Sequence, residues 1–131
     1  QREVSDAHAH DQTTVRDLLC HRVGLRTFSG DILWYRSTLT AEEIIGRVRY
    51  LPKAYDFRAG YGYSNVMYLT AGEVLEQVSG QSWHEYIRDH FFQPLGMKRS
   101  VTSVKALAKM ENYASPHRLV DGKHEPLPWE E

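Results

Sequence analysis

Three capping boxes constrain this chain more than any other feature. Thr14-Val15-Arg16-Asp17, Thr40-Ala41-Glu42-Glu43 and Ser82-Trp83-His84-Glu85 each place a hydroxyl three residues ahead of a carboxylate. In such a box the hydroxyl accepts the backbone N–H three residues on, and the carboxylate accepts the N–H of the cap residue. Two otherwise unpaired donors of a helix start are thereby satisfied, so the box marks where a helix begins. An apolar run of helical period follows each one. Val15, Leu18 and Leu19 give the first helix its face. Gly24 is expected to end it in a left-handed cap, with His21 as a structural histidine in the last turn. Ile44, Ile45, Val48 and Leu51 follow the second box, and Pro52 stops that helix. Trp83, Tyr86, Ile87, His90 and Phe91 follow the third, with His90 expected in the core. Pro94 and Gly96 close the segment.

The longest helical pattern runs from Val66 to Ser79, with Met67, Ala71, Val74, Leu75 and Val78 on one stripe and Gly80 as the C-terminal stop. Gly60-Tyr61-Gly62-Tyr63-Ser64-Asn65 leads into it. Glycines there allow a backbone to pass close to a ligand. Asn65 is the expected N-cap, and Ser64 reads as a replaceable packing or turn residue. Residues 25–39, with Phe28, Ile32, Leu33, Trp34 and Tyr35, read as an ordered loop over apolar surface. Tyr55 and Phe57 alternate like a short strand, Val104 to Lys109 is a weak helix, and Asp121-Gly122 signals a hairpin. The expected organisation is an irregular segment over 1–12, a helical domain over 13–110 and a turn-rich tail over 111–131. The fold class is mostly α with little or no sheet.

The 131 residues suffice for one domain. A formal net charge of −1 supplies no field that would favour nucleic acid. No apolar run approaches the roughly 20 residues a membrane-spanning helix needs. The single Cys20 allows no intrachain disulfide. His8 and His10 are metal-ligating types, but no further ligands follow at a recognisable spacing, so no metal and no cofactor is expected.

Three segments together resemble one family. Thr14 to His21, ending at Gly24-Leu25, is similar to a "TVRDLL-x-HxxGL" segment. Tyr63-Ser64-Asn65 is similar to a Y-x-N motif followed by an apolar helix. Pro94-Leu95-Gly96-Met97 is similar to a "PLGM" turn. In order and spacing these resemble the serine β-lactamase and penicillin-binding-protein-like family, in its class C and esterase-like branch. Arg22-Val23 departs from the commoner Thr-Ser within HxxGL, which touches only a turn.

The resemblance implies a helical domain inserted into a larger α/β fold, in a bacterial enzyme that is periplasmic or exported. Such an enzyme forms an acyl-serine from an amide, lactam or ester, on a small-molecule or peptidoglycan-like substrate. It implies that Tyr63 is the general base and acid, and that Asn65 hydrogen-bonds the substrate or a lysine. A phenol is a poor base at neutral pH unless a cation favours its phenolate. That cation would be the lysine of an S-x-x-K motif, whose serine is the nucleophile. No serine here has Lys three residues on; Thr102-Ser103-Val104-Lys105 has the spacing but a threonine. No K-T-G or H-x-G follows either. The chain alone is therefore expected to be inactive; were another cation to act on Tyr63, Lys53 and Arg58 would be the suspects. An apolar flank on the Val66–Ser79 helix is expected to stay uncovered and to permit self-association. The competing reading is a free-standing helical binding module, with residues 28–35, Tyr61 and Tyr63 as an aromatic contact patch.

Overall fold

The computed structural model describes residues 7–35 and 37–128. The chain divides into two compact units, Gln1–Gln81 and Ser82–Glu131, a boundary that falls inside the span 13–110 expected as one helical domain.

In the first unit, α1 (Ala7–Gln12) is helical where the sequence suggested an irregular segment; residues 1–6 lie outside the described residues. α2 (Val15–Leu19) and α3 (Ala41–Arg47) both begin at their capping boxes, with the reciprocal bonds formed. α3 continues as a 3-10 turn, Val48–Tyr50, and Pro52 follows. α2 ends sooner than expected. Cys20 is its C-cap, and the left-handed residue is His21 at φ 55°, not Gly24. Histidine is among the few side chains that tolerate that region. α4 (Asn65–Ser79) is the longest helix and ends at left-handed Gly80 as expected.

Leu18, Val23, Leu25, Ile44, Val48, Val66 and Met67 form the core of this unit, and Leu33, Trp34, Leu39, Leu51, Leu69 and Ala71 pack around them. α2 and α3 both pack on α4. The α4 stripe is covered only at its N-terminal end: Met67 is 2% exposed, Val74 38% and Val78 83%. The loop expected over 25–39 contains a 3-10 turn, Asp31–Leu33. It covers the core with Leu33 and Trp34 but leaves Phe28, Ile32 and Tyr35 exposed. The strand expected near Tyr55 is absent; a single bridge, Leu25 to Lys53, replaces it.

In the second unit, α5 (Trp83–Ile87) starts at the third capping box and widens into a π-helical turn, Arg88–Phe92. The extra residue per turn breaks the 3.6 period. His90, expected in the core, is exposed, its ring 4.2 Å from that of Tyr86, and so are Trp83 and Phe91 of the same expected face. α6 (Val104–Leu107) is the weak helix. β1 (His117–Val120) and β2 (Lys123–Pro126) form the hairpin expected at Asp121-Gly122, both turn residues having positive φ.

Candidate active site

The Tyr63 site is built where residues 21–31 meet residues 53–65. Backbone bonds join the two stretches: the Gly24 carbonyl accepts Ala54 N–H at 2.9 Å, the Arg22 carbonyl accepts Arg58 N–H at 2.9 Å, and the His21 carbonyl accepts Gly62 N–H at 3.1 Å. Tyr55 Oη also donates to the His21 carbonyl, at 3.0 Å. A Cβ on Gly62 would lie 1.9 Å from the Leu25 carbonyl oxygen. Gly62 thus serves the close approach of the chain to itself, where the sequence suggested approach to a ligand.

Around this join sits an ion pair. Arg58 donates from Nε to Asp17 Oδ1 at 2.8 Å and from Nη2 to Oδ2 at 2.7 Å. Asp17 is also the carboxylate of the first capping box, accepting Thr14 N–H and Oγ1–H. The Arg58 hydrogen bonds hold its carboxyl well below the usual carboxylate range, with burial opposing and Thr14 assisting. Of the two cations named as suspects, Arg58 is therefore paired with Asp17, and Lys53 pairs with Asp56 at 2.8 Å.

Tyr63 is held on three sides. Its carbonyl accepts Phe28 N–H at 2.7 Å. Its ring lies 4.8 Å from that of His21 and 5.7 Å from that of Phe28. Its Oη donates to Asn65 Oδ1 at 2.7 Å. The side chain is 36% exposed, so the phenol has an open side. His21, expected as a structural histidine, is buried and is the hub of this arrangement. Tyr68 stacks on it at 5.1 Å and Tyr61 meets it edge-on at 5.7 Å. Its Nδ1 accepts Ser64 N–H at 3.3 Å, which places the ring proton on Nε2.

Two readings of the helix start change. The N-cap of α4 is Ser64, not Asn65, and Ser64 makes no side-chain cap. Its hydroxyl instead donates to the Ser29 carbonyl at 3.1 Å, and the residue is fully buried, so it is no replaceable turn position. The cap comes from elsewhere in the chain: Asp31 Oδ1 accepts Asn65 N–H at 3.2 Å. Asp31 Oδ2 accepts Asn65 Nδ2–H at 2.7 Å. Asp31 had no local signal, because its partner lies 34 residues away.

A phenol and an amide, fixed on each other at the head of α4, can pass one proton and present one hydrogen-bonding edge to a bound molecule. Among the described residues no group of three His, Cys, Asp or Glu side chains is placed to hold a metal ion, and no helix is long and apolar enough to cross a membrane.

This chain belongs to the Beta-lactamase family, whose model matches residues 4–130. It is similar to the unguisins hydrolase ungD of Aspergillus violaceofuscus, 29% identical over 91% of this chain. It is also similar to the octameric penicillin-binding protein homologue from Pyrococcus abyssi, with a TM-score of 0.71, 28% identity and 88% of this chain covered. The D-amino acid amidase from Ochrobactrum anthropi, in its complex with D-phenylalanine, matches 86% of this chain at a TM-score of 0.62 and 25% identity. The chain spans 22% of the first of these relatives, 29% of the second and 32% of the third.

Proposed function

We propose that this chain is the helical domain of a serine acyl-hydrolase, in which Tyr63 moves the proton of acyl transfer and Asn65 holds the substrate. Acyl transfer needs a base for the attacking hydroxyl and an acid for the leaving group, and one residue can serve both steps. The observation that carries the reading is the 2.7 Å bond from Tyr63 Oη to Asn65 Oδ1, at the head of a helix anchored just behind it by buried Val66 and Met67. A proton-transfer group gains from such fixation, because the geometry is set before substrate arrives. The nucleophilic serine and the lysine that would favour phenolate belong, in this reading, to a longer protein. The amidase among the structural neighbours favours an amide as the bond cleaved.

The test compares this chain with the longer protein, using a fluorescent penicillin and aryl esters. The chain alone is expected to take up no label and to hydrolyse nothing, while the longer protein forms an acyl-serine. A penicilloyl adduct on this chain, seen by intact-mass spectrometry, would overturn the reading. A second reading, a free-standing binding module, is favoured by the exposed rings of Phe28 and Tyr61 beside Tyr63. It expects no acyl-serine on any protein that contains this chain.

A further inference from the structure

We infer that Asp31 is a positioning residue: it fixes which end of the Asn65 amide faces Tyr63, and so makes Tyr63 the donor in their hydrogen bond. The geometry stands independently of the hydrolase reading; only its catalytic consequence rests on that reading.

An asparagine amide has two ends of nearly equal shape and opposite hydrogen-bonding character. A phenol cannot choose between them, since it can donate to the oxygen or accept from the nitrogen. A carboxylate can choose, because it only accepts. Asp31 Oδ2 lies 2.7 Å from Asn65 Nδ2, which commits the nitrogen end to Asp31 and turns Oδ1 towards Tyr63. The other carboxylate oxygen accepts the Asn65 backbone N–H, so a single side chain holds both the backbone and the amide of Asn65. An amide held this way cannot turn its NH2 to the phenol without giving up the Asp31 bond.

The fold places Asp31 here for a traceable reason. Gly30, at φ 85°, turns the chain into the 3-10 turn beneath the start of α4. A Cβ there would meet Leu51 Cδ1 at 3.0 Å and Val66 Cγ2 at 3.1 Å, so the loop sits hard against the core. With the Ser64 hydroxyl committed to Ser29, Asp31 is the acceptor that α4 uses at this position.

Asp31→Asn separates the clamp from the cap. The new amide can still accept Asn65 N–H with its oxygen, but its nitrogen then faces the Asn65 nitrogen. The Asn65 amide is expected to reverse and point its NH2 at Tyr63. In NMR of this chain, nuclear Overhauser contacts between the Asn65 side-chain NH2 and the Tyr63 ring should be absent in the wild type and strong in Asp31→Asn. Asp31→Ala should free the amide, so that its protons exchange at the rate of an unprotected asparagine. Contacts already present in the wild type, or one pattern in all three proteins, would overturn the inference. In the longer protein, Asp31→Asn should lower kcat by about two- to tenfold, the range a single hydrogen bond spans, with KM unchanged. Unchanged kcat would remove the positioning role even if the NMR pattern holds. If the wild-type longer protein has no acyl-hydrolase activity, the hydrolase reading falls, and the ring contacts alone decide the clamp.

Discussion

Gly62→Ala tests how the site is assembled. The added Cβ would lie 1.9 Å from the Leu25 carbonyl oxygen, and 3.1 Å from Tyr55 Oη. Real Cβ contacts essentially never fall under 3.0 Å, so one backbone must retreat from the other. Such overpacking costs about 1–3 kcal/mol. The retreat also stretches Gly62 N–H to His21 and Phe28 N–H to the Tyr63 carbonyl, at 3.1 and 2.7 Å in the native chain. Each bond contributes about 1 kcal/mol. Together the loss is about 3–5 kcal/mol, a large part of the roughly 5–15 kcal/mol that holds a domain folded. Gly60→Ala is the control. Its Cβ would meet Tyr55 ring carbons at 2.9 and 3.0 Å, on a side chain tethered through Oη to the His21 carbonyl but with no backbone in the way, and the cost should be about 1–3 kcal/mol. Urea melts of the three proteins at a shared slope measure both losses. Equal midpoints for the two variants, or a Gly62→Ala loss below about 1 kcal/mol, would refute the reasoning.

Three further outcomes follow from the same packing. Asp17 has its carboxyl depressed in the folded chain by Arg58, so it contributes stability above its unfolded value of about 4. That contribution is lost as pH falls below about 4 towards the folded value; Asp17→Asn should be less stable at neutral pH and show a weaker acid decline in urea midpoints. Ser64→Ala leaves a vacancy at a fully buried residue and takes the hydroxyl from the half-buried Ser29 carbonyl, at about 1–3 kcal/mol. Ser82→Ala removes a capping box at about 1 kcal/mol, so Ser64 should matter more, the reverse of what the sequence suggested; melts giving the opposite order would contradict this. Amide exchange along α4 should be graded, slowest from Tyr68 to Ala71 and fastest near Val78, because cover declines along the stripe. Uniform protection at high dilution would show that the helix is covered throughout.

What the sequence disclosed is local chemistry. The capping boxes at Thr14, Thr40 and Ser82 and the Asp121-Gly122 turn need only residues three or fewer apart, and all formed. The Y-x-N resemblance names Tyr63 and Asn65, with substrate or a lysine as the partner of Asn65; their bond to each other is not read from the sequence. What stayed hidden is non-local. Asp31 and Asn65 meet across 34 residues, and Arg58 reaches Asp17 across 41. The buried state of Ser64 depends on the Ser29 carbonyl, which no helical period encodes. His90 was misplaced together with Trp83 and Phe91 of its expected face, because helical period marks an apolar face but not whether anything covers it. The Gly62 contact, a backbone on a backbone, looks in sequence like room left for a ligand.

The most direct test of the central claim is kcat/KM of Tyr63→Phe in the longer protein that this reading requires. Phenylalanine keeps the ring contacts with His21 and Phe28 and removes only Oη. If Tyr63 moves the proton of acyl transfer, activity should fall by about 10²–10⁴-fold, with the melting midpoint nearly unchanged. Activity within a few-fold of wild type, from a variant that folds as well, would contradict the claim.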